Sequence, residues 1–234
     1  VGTNGVGSTL TNIFSKEFNI QTCDGKKQFN QFFKDNMSSR SKPKITKKKT
    51  KHTQITYLTE FERFGLTGID KNHYLMITKR LIDIAACNPS LKIFLNDKPI
   101  SFRTFKDYAS RYVTPIFYEQ SEHWKIGIGH STTGFKAISF VNSVETKDGG
   151  THVNDIDWQI TSFLREKIKR KYRVDVKPSE LRQHLYLFIN CTIINPAFSS
   201  QTKEKLITSP KDFGTKHILS DKVLRQVLNS EIIQ

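Results

Sequence analysis

The sequence GTNGVGSTLTNIFS, residues 2–15, joins a glycine-rich turn to the start of an amphipathic helix. Leu10, Ile13 and Phe14 have helical spacing, so the turn is predicted to lead directly into a helix N-terminus. Free backbone N–H groups and the helix dipole at such a position favour an anion, above all a phosphate group. An ordinary flexible turn is the alternative that these residues leave open.

Two common nucleotide-binding patterns are absent from this turn. Gly2 and Gly7 have the spacing of a P-loop, but Ser8 stands where that motif has a lysine. Gly5 and Gly7 begin a dinucleotide-binding fingerprint, but Leu10 holds the place of its third glycine. The sequence therefore disfavours both a P-loop NTPase and a Rossmann domain.

The composition is that of a basic globular chain. Its 234 residues allow one or two domains, and the formal net charge of +15 favours a polyanionic partner, first of all nucleic acid. Cys23, Cys87 and Cys191 are far apart, which supports neither a disulfide framework nor a zinc site and favours a reducing, intracellular compartment. The start at Val1 has neither an initiator methionine nor a secretory signal, so we expect a fragment of a longer protein.

Hydrophobic periodicity predicts two parts with mixed secondary structure. Strands are predicted at 54–58, 92–95, 114–118, 123–129, 135–141 and 185–194, and helices at 70–85, 102–112, 154–171 and 220–228. The polar, lysine-rich segment between Phe33 and His52 is predicted to be an exposed connection, and both an ordered and a disordered form are left open. After residue 112 a new series of alternating strands separated by turn residues begins, and the predicted domain boundary is placed there.

Four segments, in order, resemble the type IIA DNA topoisomerases, especially their eukaryotic and tailed-phage branch. The stretch 2–15 is similar to the ATP lid of that family, and HTQITY at 52–57 is similar to the strand that closes its ATP-binding domain. ISFVNS and GGTHV within 138–153 resemble the transducer signature, and FINC with NPAFSSQTKE within 188–204 resembles the switch-lysine segment. The resemblance runs from residue 1 to about residue 228.

The resemblance implies an α+β fold in two domains. Residues 1–112 would be the C-terminal part of a GHKL (Bergerat) ATP-binding domain, with the ATP lid at its start. Residues 113–234 would be a transducer domain, in which a β-sheet and packed helices form a left-handed βαβ, ribosomal-protein-like fold. The implied function is to couple ATP binding and hydrolysis to closure of a dimer gate and passage of one DNA duplex through another.

The resemblance also implies a nucleotide site drawn from three segments. Its residues are Gly2, Thr3, Asn4, Gly5, Val6, Gly7, Ser8 and Thr9 in the lid, Thr53 in the closing strand, and Gln201, Thr202 and Lys203 in the switch segment. Lys203 would have the catalytic role, because it would touch the γ-phosphate of ATP. Thr3 and Val6 depart from the eukaryotic members, which usually carry Arg and Tyr at these two places.

Several catalytic residues and partners that the resemblance implies lie outside this chain. The general-base glutamate, the magnesium-binding asparagine and the adenine-recognising aspartate of the family would all precede Val1, so the chain alone is expected to hydrolyse ATP inefficiently. The implied cofactors are ATP and Mg²⁺, with no metal ligand in this chain. The implied partners are duplex DNA, a second copy of the ATPase module, and the polypeptide that carries the remaining ATPase part and the DNA-cleavage core. The implied location is with DNA inside the cell, in the host cytoplasm for a phage protein or in the nucleus for a eukaryotic one.

A basic cluster at the end of the helix predicted at 154–171 is the candidate DNA contact. Lys167, Lys169, Arg170 and Lys171 match in position a lysine cluster that contacts DNA in eukaryotic relatives. A solvated helix end is the alternative, since cations also complement the dipole at a helix C-terminus. The lysines of 42–51 have no counterpart in the family, and for them nonspecific DNA binding and mere solubility are equally open.

Two other functions stay open at this stage. The first is a nonenzymatic DNA-binding or assembly module that keeps the transducer fold, and ATP-dependent dimer closure would distinguish it from an enzyme. The second is another GHKL machine, such as a mismatch-repair or chaperone ATPase, although the segments 149–152 and 201–203 argue against it. His152 and His184 are expected to have structural rather than catalytic roles.

Overall fold

The computed structural model describes residues 5–232, which divide into two compact units between Tyr74 and Leu75. Each unit is built around its own β-sheet. The residues 1–4 and 233–234 lie outside the described part of the chain. No helix within residues 5–232 is long and apolar enough to cross a bilayer.

The first unit consists mainly of antiparallel strands. Its elements are α1 (Val6–Ile13), β1 (Ser15–Asp24), β2 (Lys27–Lys34), β3 (Ser39–Arg40), β4 (Lys44–Lys47), β5 (Lys51–Thr59) and a 3₁₀ turn (Phe61–Phe64). β1 pairs with both β2 and β5, while β3 and β4 both pair with β2. β5 therefore lies at one edge of this sheet.

The segment between Phe33 and His52 corrects one prediction. Most of its residues are exposed, as expected, but β3 and β4 form where a connection without strands is predicted. All four side chains of β4 are exposed, so this strand is held by backbone pairing with β2 rather than by buried apolar groups. Without a buried face there is no alternation of apolar and polar residues, which is the signal that sequence analysis depends on.

The second unit contains a mixed sheet with helices around it. The helix α2 (Lys71–Cys87) leads into it, followed by β6 (Ile93–Leu95), β7 (Lys98–Ile100), α3 (Phe105–Ala109), β8 (Phe117–Gln120), β9 (Trp124–His130), β10 (Lys136–Val141), β11 (Val144–Glu145), α4 (Thr151–Tyr172), α5 (Pro178–Arg182), β12 (Leu185–Cys191), a 3₁₀ turn (Pro210–Asp212) and α6 (Asp221–Leu228). The strand order is β11-β10-β12-β9-β8, and β10 runs parallel to β12. Because α4 connects these two strands, the unit contains the predicted βαβ element.

The central strand β12 is buried on both faces. Leu187 and Ile189 belong to the same cluster as Ile160 of α4, whereas Phe188 packs with residues of α2 and α3. Strands that are buried on both faces have nearly continuous apolar sequences, which explains the unbroken run predicted at 185–194. The mixed α+β class expected from the sequence is confirmed by these two sheets and their helices.

The division between Tyr74 and Leu75 differs from the predicted boundary at 112/113. Phe105 and Tyr108 of α3 pack in one cluster with Phe140 and Phe188 of the second sheet. The end of the predicted ATP-binding part is therefore attached to the compact unit that follows it. A compact unit of the structure need not coincide with a domain of the protein family. The assignment of residues 1–112 to the ATP-binding domain therefore stays a prediction.

Candidate functional site

The described part of the lid begins at Gly5, because Gly2, Thr3 and Asn4 lie outside the described residues. Gly5 has φ 64°, a left-handed conformation that glycine adopts without strain, and it immediately precedes α1. No side chain of residues 5–232 caps this helix, and its first turn holds no acidic residue. The N–H groups of that turn therefore remain open to an anion.

The side chains of the first turn leave space around α1. The hydroxyl groups of Ser8 and Thr9 donate to the carbonyl oxygen of Gly5, at 3.0 and 3.2 Å. At Gly7, a Cβ atom would meet no other atom within 4 Å. Val6 is also exposed, so the whole turn offers backbone rather than side-chain donors to a ligand.

Thr53 lies on β5, in the strand predicted to close the ATP-binding domain. Its Oγ1 is 3.2 Å from Oγ1 of Thr22 on β1, and both side chains are exposed. β5 has β1 on one side and no strand partner on the other among the described residues. The strand is confirmed, while the role of Thr53 toward a nucleotide stays a prediction.

Gln201, Thr202 and Lys203 lie in the loop that follows β12, which we call the switch loop (residues 199–206). Lys203 donates its backbone N–H to the carbonyl oxygen of Ser200 at 3.1 Å, and Ser200 Oγ lies 2.7 Å from Thr202 Oγ1. Lys203 has φ 61°, which is uncommon for a residue with a side chain. Lys203 is half-buried, and its ammonium group forms no ion pair within the described range.

The turn at Gly149 and Gly150 holds the base of the switch loop. Leu206 donates its N–H to the carbonyl oxygen of Gly149 at 3.1 Å, and Thr151 donates to the carbonyl oxygen of Leu206 at 3.2 Å. Gly150 has φ 137°, and a Cβ atom there would lie 2.3 Å from the Leu206 carbonyl oxygen. Only glycine fits this position, so the two separate sequence motifs form one structural element.

Further contacts between the same segments were not apparent from the sequence. Lys147 Nζ lies 2.7 Å from Glu204 Oε1, and this contact raises the pKa of Lys147. Thr151 Oγ1 donates to the carbonyl oxygen of Thr208 at 2.6 Å. Because these partners are far apart in the chain, no local pattern indicates their pairing.

His152 has the structural role that was predicted for it. It is fully buried, and its Nε2 lies 3.2 Å from Thr146 Oγ1. Burial lowers the pKa of His152 to about 3, so the ring is neutral at ordinary pH. The side chain of His184 is exposed instead, and it lines a cavity of about 730 Å³ with His130 and Tyr172.

The predicted DNA-binding residues are gathered at the C-terminal end of α4. They are Lys167, Lys169, Arg170 and Lys171. Glu166 lies 3.7 Å from Lys167 Nζ and 3.9 Å from an Arg170 nitrogen, while Asp175 lies 3.6 Å from Lys169 Nζ. Two carboxylates therefore offset part of the positive charge of this cluster.

No metal site is formed by the residues that the structure describes. Among residues 5–232, no three His, Cys, Asp or Glu side chains are grouped as metal ligands.

Comparisons with known proteins agree on one family. Residues 95–233 match the family described as DNA gyrase B. A probable DNA topoisomerase 2 of Dictyostelium discoideum is 38% identical over 98% of this chain, and the matched part is 16% of that relative. The chain thus spans about a sixth of the length of this curated relative.

Two solved structures resemble the fold closely. The ATPase region of Saccharomyces cerevisiae topoisomerase II aligns with a TM-score of 0.91 and 35% identity, over 99% of this chain and 62% of that one. The ATPase and transducer domains of DNA topoisomerase II from Balamuthia mandrillaris align with a TM-score of 0.92 and 38% identity, over 97% of this chain and 61% of that one. The chain spans less than two thirds of either structure.

Proposed function

This chain belongs to the DNA gyrase B family, and we propose that it is the ATP-binding and transducer portion of a type II DNA topoisomerase. It would couple ATP binding and hydrolysis to closure of a dimer gate and to passage of one DNA duplex through another. The observation that carries the proposal is the switch loop. Its half-buried Lys203 forms no ion pair with any described residue, and the end of the loop at Leu206 is hydrogen-bonded to the turn before α4. Such an arrangement suits a sensor that passes the state of its ligand to a rigid element.

The chain's own residues would hold the triphosphate of ATP through charge and backbone donors. When bound, ATP supplies a γ-phosphate whose negative charge leaves with it after hydrolysis. The N–H groups at the start of α1 would hold phosphate oxygens, and Lys203 would bind the γ-phosphate. Gly2, Thr3 and Asn4 would complete the lid, and Gln201, Thr202 and Thr53 would line the nucleotide.

The loss of the phosphate that Lys203 binds would shift the switch loop between two states. Thr151 donates its backbone N–H to the carbonyl oxygen of Leu206, so a displacement of the loop would act on the first turn of α4. α4 contains 22 residues, and a helix of that length is roughly 33 Å long. The basic cluster lies at its far end, which suggests that nucleotide state and DNA contact are linked through this helix.

Hydrolysis itself would need groups that the described residues do not provide. Among residues 5–232, no three His, Cys, Asp or Glu side chains are grouped as metal ligands, and Mg²⁺ would be held by residues outside this chain. A general base would come from the part of the ATPase region that this chain does not span. The remaining partners in this proposal are a second copy of the ATPase module, the polypeptide with the DNA-cleavage core, and duplex DNA, in the compartment where that DNA resides.

The test is ATP-dependent relaxation of plasmid DNA by this chain together with polypeptides that supply the rest of the enzyme. We expect Lys203→Ala to lower relaxation by about 10- to 100-fold, because a charge-assisted contact is lost, while duplex binding is retained. Lys205→Ala is the matched control, since Lys205 is exposed in the same loop. If relaxation ignored both ATP and Lys203 while DNA was still bound, the nonenzymatic module would be the better account.

A further inference from the structure

Six exposed lysines gather at one end of the first sheet, where β1 turns into β2 and β4 leads into β5. We call them the turn cluster: Lys26, Lys27, Lys47, Lys48, Lys49 and Lys51. None of them belongs to the nucleotide site or to the basic end of α4. In the segment that contributes most of them, Lys47 ends β4 and Lys51 begins β5, while Lys48 and Lys49 lie between these strands.

Backbone contacts hold the lysines of the turn cluster together. Lys48 donates its N–H to the carbonyl oxygen of Lys26 at 3.0 Å, which ties the two turns to each other. Lys27 lies directly opposite Lys47 in the pairing of β2 with β4. Cys23 on β1 donates its Sγ hydrogen to the carbonyl oxygen of Lys48, with the heavy atoms 3.4 Å apart. The positive charges are thus arranged on a fixed backbone.

Asp24, the acidic residue in these turns, binds backbone N–H groups rather than lysine ammonium groups. Its carboxylate accepts the backbone N–H groups of Lys26 and Lys27 at 2.7 and 2.8 Å, and it pairs with neither ammonium group. Asp24 also lies opposite Lys51 in the pairing of β1 with β5, but the two side chains form no ion pair. In the described part of the chain, no lysine of the turn cluster forms an ion pair within 4 Å, although Lys27 is close enough to Asp24 to contribute to the lowered pKa of that carboxylate. The α4 cluster, in contrast, has ion pairs with Glu166 and Asp175.

This arrangement is unfavourable unless an anion is present. Like charges directly opposite each other on paired strands are destabilising, and Lys27 and Lys47 stand in that relation. Phosphates of duplex DNA provide a matching density of negative charge, about one per 1.7 Å of helix axis. Release of condensed counterions on binding would add to the gain.

We propose that the turn cluster is a binding surface for the phosphate backbone of duplex DNA, a contact additional to the α4 cluster. The inference deepens the proposed function, because it assumes that the protein works on DNA. The surface consists of lysines, which meet phosphate as point charges without the planar fork of arginine, so binding would be independent of sequence. No aromatic residue is interleaved with these lysines in the turns, which disfavours stacking of single-stranded bases.

The test measures binding of the full chain to a fluorescent 30-base-pair duplex by anisotropy at several KCl concentrations. The test variant carries Lys26→Gln, Lys47→Gln, Lys48→Gln and Lys49→Gln. The matched control loses the same charge at four exposed lysines of the second unit, with Lys98→Gln, Lys106→Gln, Lys211→Gln and Lys222→Gln. A third protein carries arginine at the four test positions, which keeps the charge, and circular dichroism confirms that each variant is folded.

We expect the test variant to bind at least about 10-fold more weakly at 100 mM KCl, with a flatter salt dependence by about 0.9 per lost phosphate contact. The control should change by less than about 3-fold, and the arginine variant should bind like the wild type. Equal losses in test and control variants would overturn the proposal, because net charge alone would then explain binding. Selective loss of binding to anionic lipid vesicles, with duplex binding intact, would overturn it as well.

A fourth variant separates failure of this inference from failure of the proposed function. It carries glutamine at Lys167, Lys169, Arg170 and Lys171. If only this variant loses duplex binding, the turn cluster is not a DNA surface, while the proposed topoisomerase role stands and is judged by the effect of Lys203→Ala on relaxation. If both clusters contribute, combining their changes should weaken binding by about the product of the separate factors.

Discussion

At the scale of single residues, Gly150 determines how the switch loop is attached to the rest of its unit. Its φ of 137° is outside the range of other residues, and a Cβ atom would clash with the backbone of Leu206. We expect Gly150→Ala to lower the free energy of unfolding by about 2–4 kcal/mol, combining backbone strain with a displaced Leu206. Urea denaturation of the two proteins measures this difference.

Gly134→Ala is the matched control for Gly150. Gly134 also has a positive φ, 92°, but a Cβ atom there would meet nothing within 4 Å. Its substitution should therefore cost only the backbone strain, about 1–2 kcal/mol. Equal costs at the two positions would show that close contact with Leu206 does not restrict residue 150.

His152 makes the stability of the protein depend on pH. Burial lowers its pKa to about 3, whereas an unfolded histidine titrates near about 6.5. Between these values the unfolded chain binds a proton that the folded chain does not, so stability falls as the pH is lowered. The expected loss from this residue between pH 7 and pH 5 is about 2 kcal/mol.

The measurement compares urea denaturation at pH 7 and pH 5 for wild type and His152→Gln. The variant lacks the titrating ring, so its loss of stability over this interval should be smaller by about 2 kcal/mol. Asp83 and Asp157 have pKa values raised by burial and act in the opposite direction, but both proteins contain them. Identical pH dependence in the two proteins would contradict the buried, neutral state of His152.

At the scale of elements, α2 is attached to the second unit through a buried carboxylate. Asp83 is 1% exposed, and it receives a hydrogen bond from the Tyr108 hydroxyl at 2.8 Å and an ion pair from Lys79 at 2.6 Å. Tyr108→Phe would leave that carboxylate with one donor fewer, so we expect a loss of about 1–3 kcal/mol in unfolding free energy. Tyr118→Phe, which removes an exposed hydroxyl contact to Gln120, should cost less than about 1 kcal/mol. Thermal and urea denaturation measure both changes.

The long buried elements of the second unit could be predicted from the sequence, whereas most strands of the first sheet could not. The apolar stripe of α4 and the apolar run of β12 gave their positions to within a few residues. The strand predicted at 114–118 is found later, at Phe117–Gln120, and the helix predicted at 102–112 is shortened to Phe105–Ala109. In the first sheet, β3 and β4 are not predicted, because their side chains are in solvent. β1 and β2 are not predicted either, although β1 buries Phe18 and Cys23, whereas β5 is predicted at 54–58 although most of its side chains are exposed. The periodic spacing of apolar residues mainly reflects which side chains are buried. Hydrogen bonding between strand backbones does not by itself produce such a pattern.

The candidate site shows the same limit. The glycine turn at the start of α1 was predicted from composition and spacing, because a helix N-terminus is a local feature. The connection of Gly149 and Gly150 to Leu206 joins distant parts of the chain, so only the three-dimensional structure reveals it. The role predicted for Lys203 rests on resemblance alone, since a single lysine in a loop carries no physical signal of its own.

At the scale of the whole molecule, buried apolar side chains are distributed unequally between the two units. In the described residues up to Tyr74, only Phe18 and Cys23 are buried apolar groups, and the others all lie in residues 75–232. Burial of one large apolar side chain contributes about 1.5–3 kcal/mol, so the first unit has far less to stabilise its sheet. Hydrogen exchange should therefore distinguish the units in the intact chain.

We expect amides of β1 and β5 to exchange at least about 100-fold faster than those of β9 and β12, equivalent to about 2.7 kcal/mol in opening free energy. Exchange measured by mass spectrometry on peptides from the intact chain gives both rates in one sample. Phe18→Ala should accelerate exchange in β1 and β5 further and leave β12 unchanged, because Phe18 contacts Phe33 and Tyr57 within the first sheet. Leu187→Ala, in the core of the second unit, is the reciprocal control and should accelerate exchange in β9 and β12. Equal protection of the two sheets would mean that the first one is stabilised by something other than its own buried apolar groups.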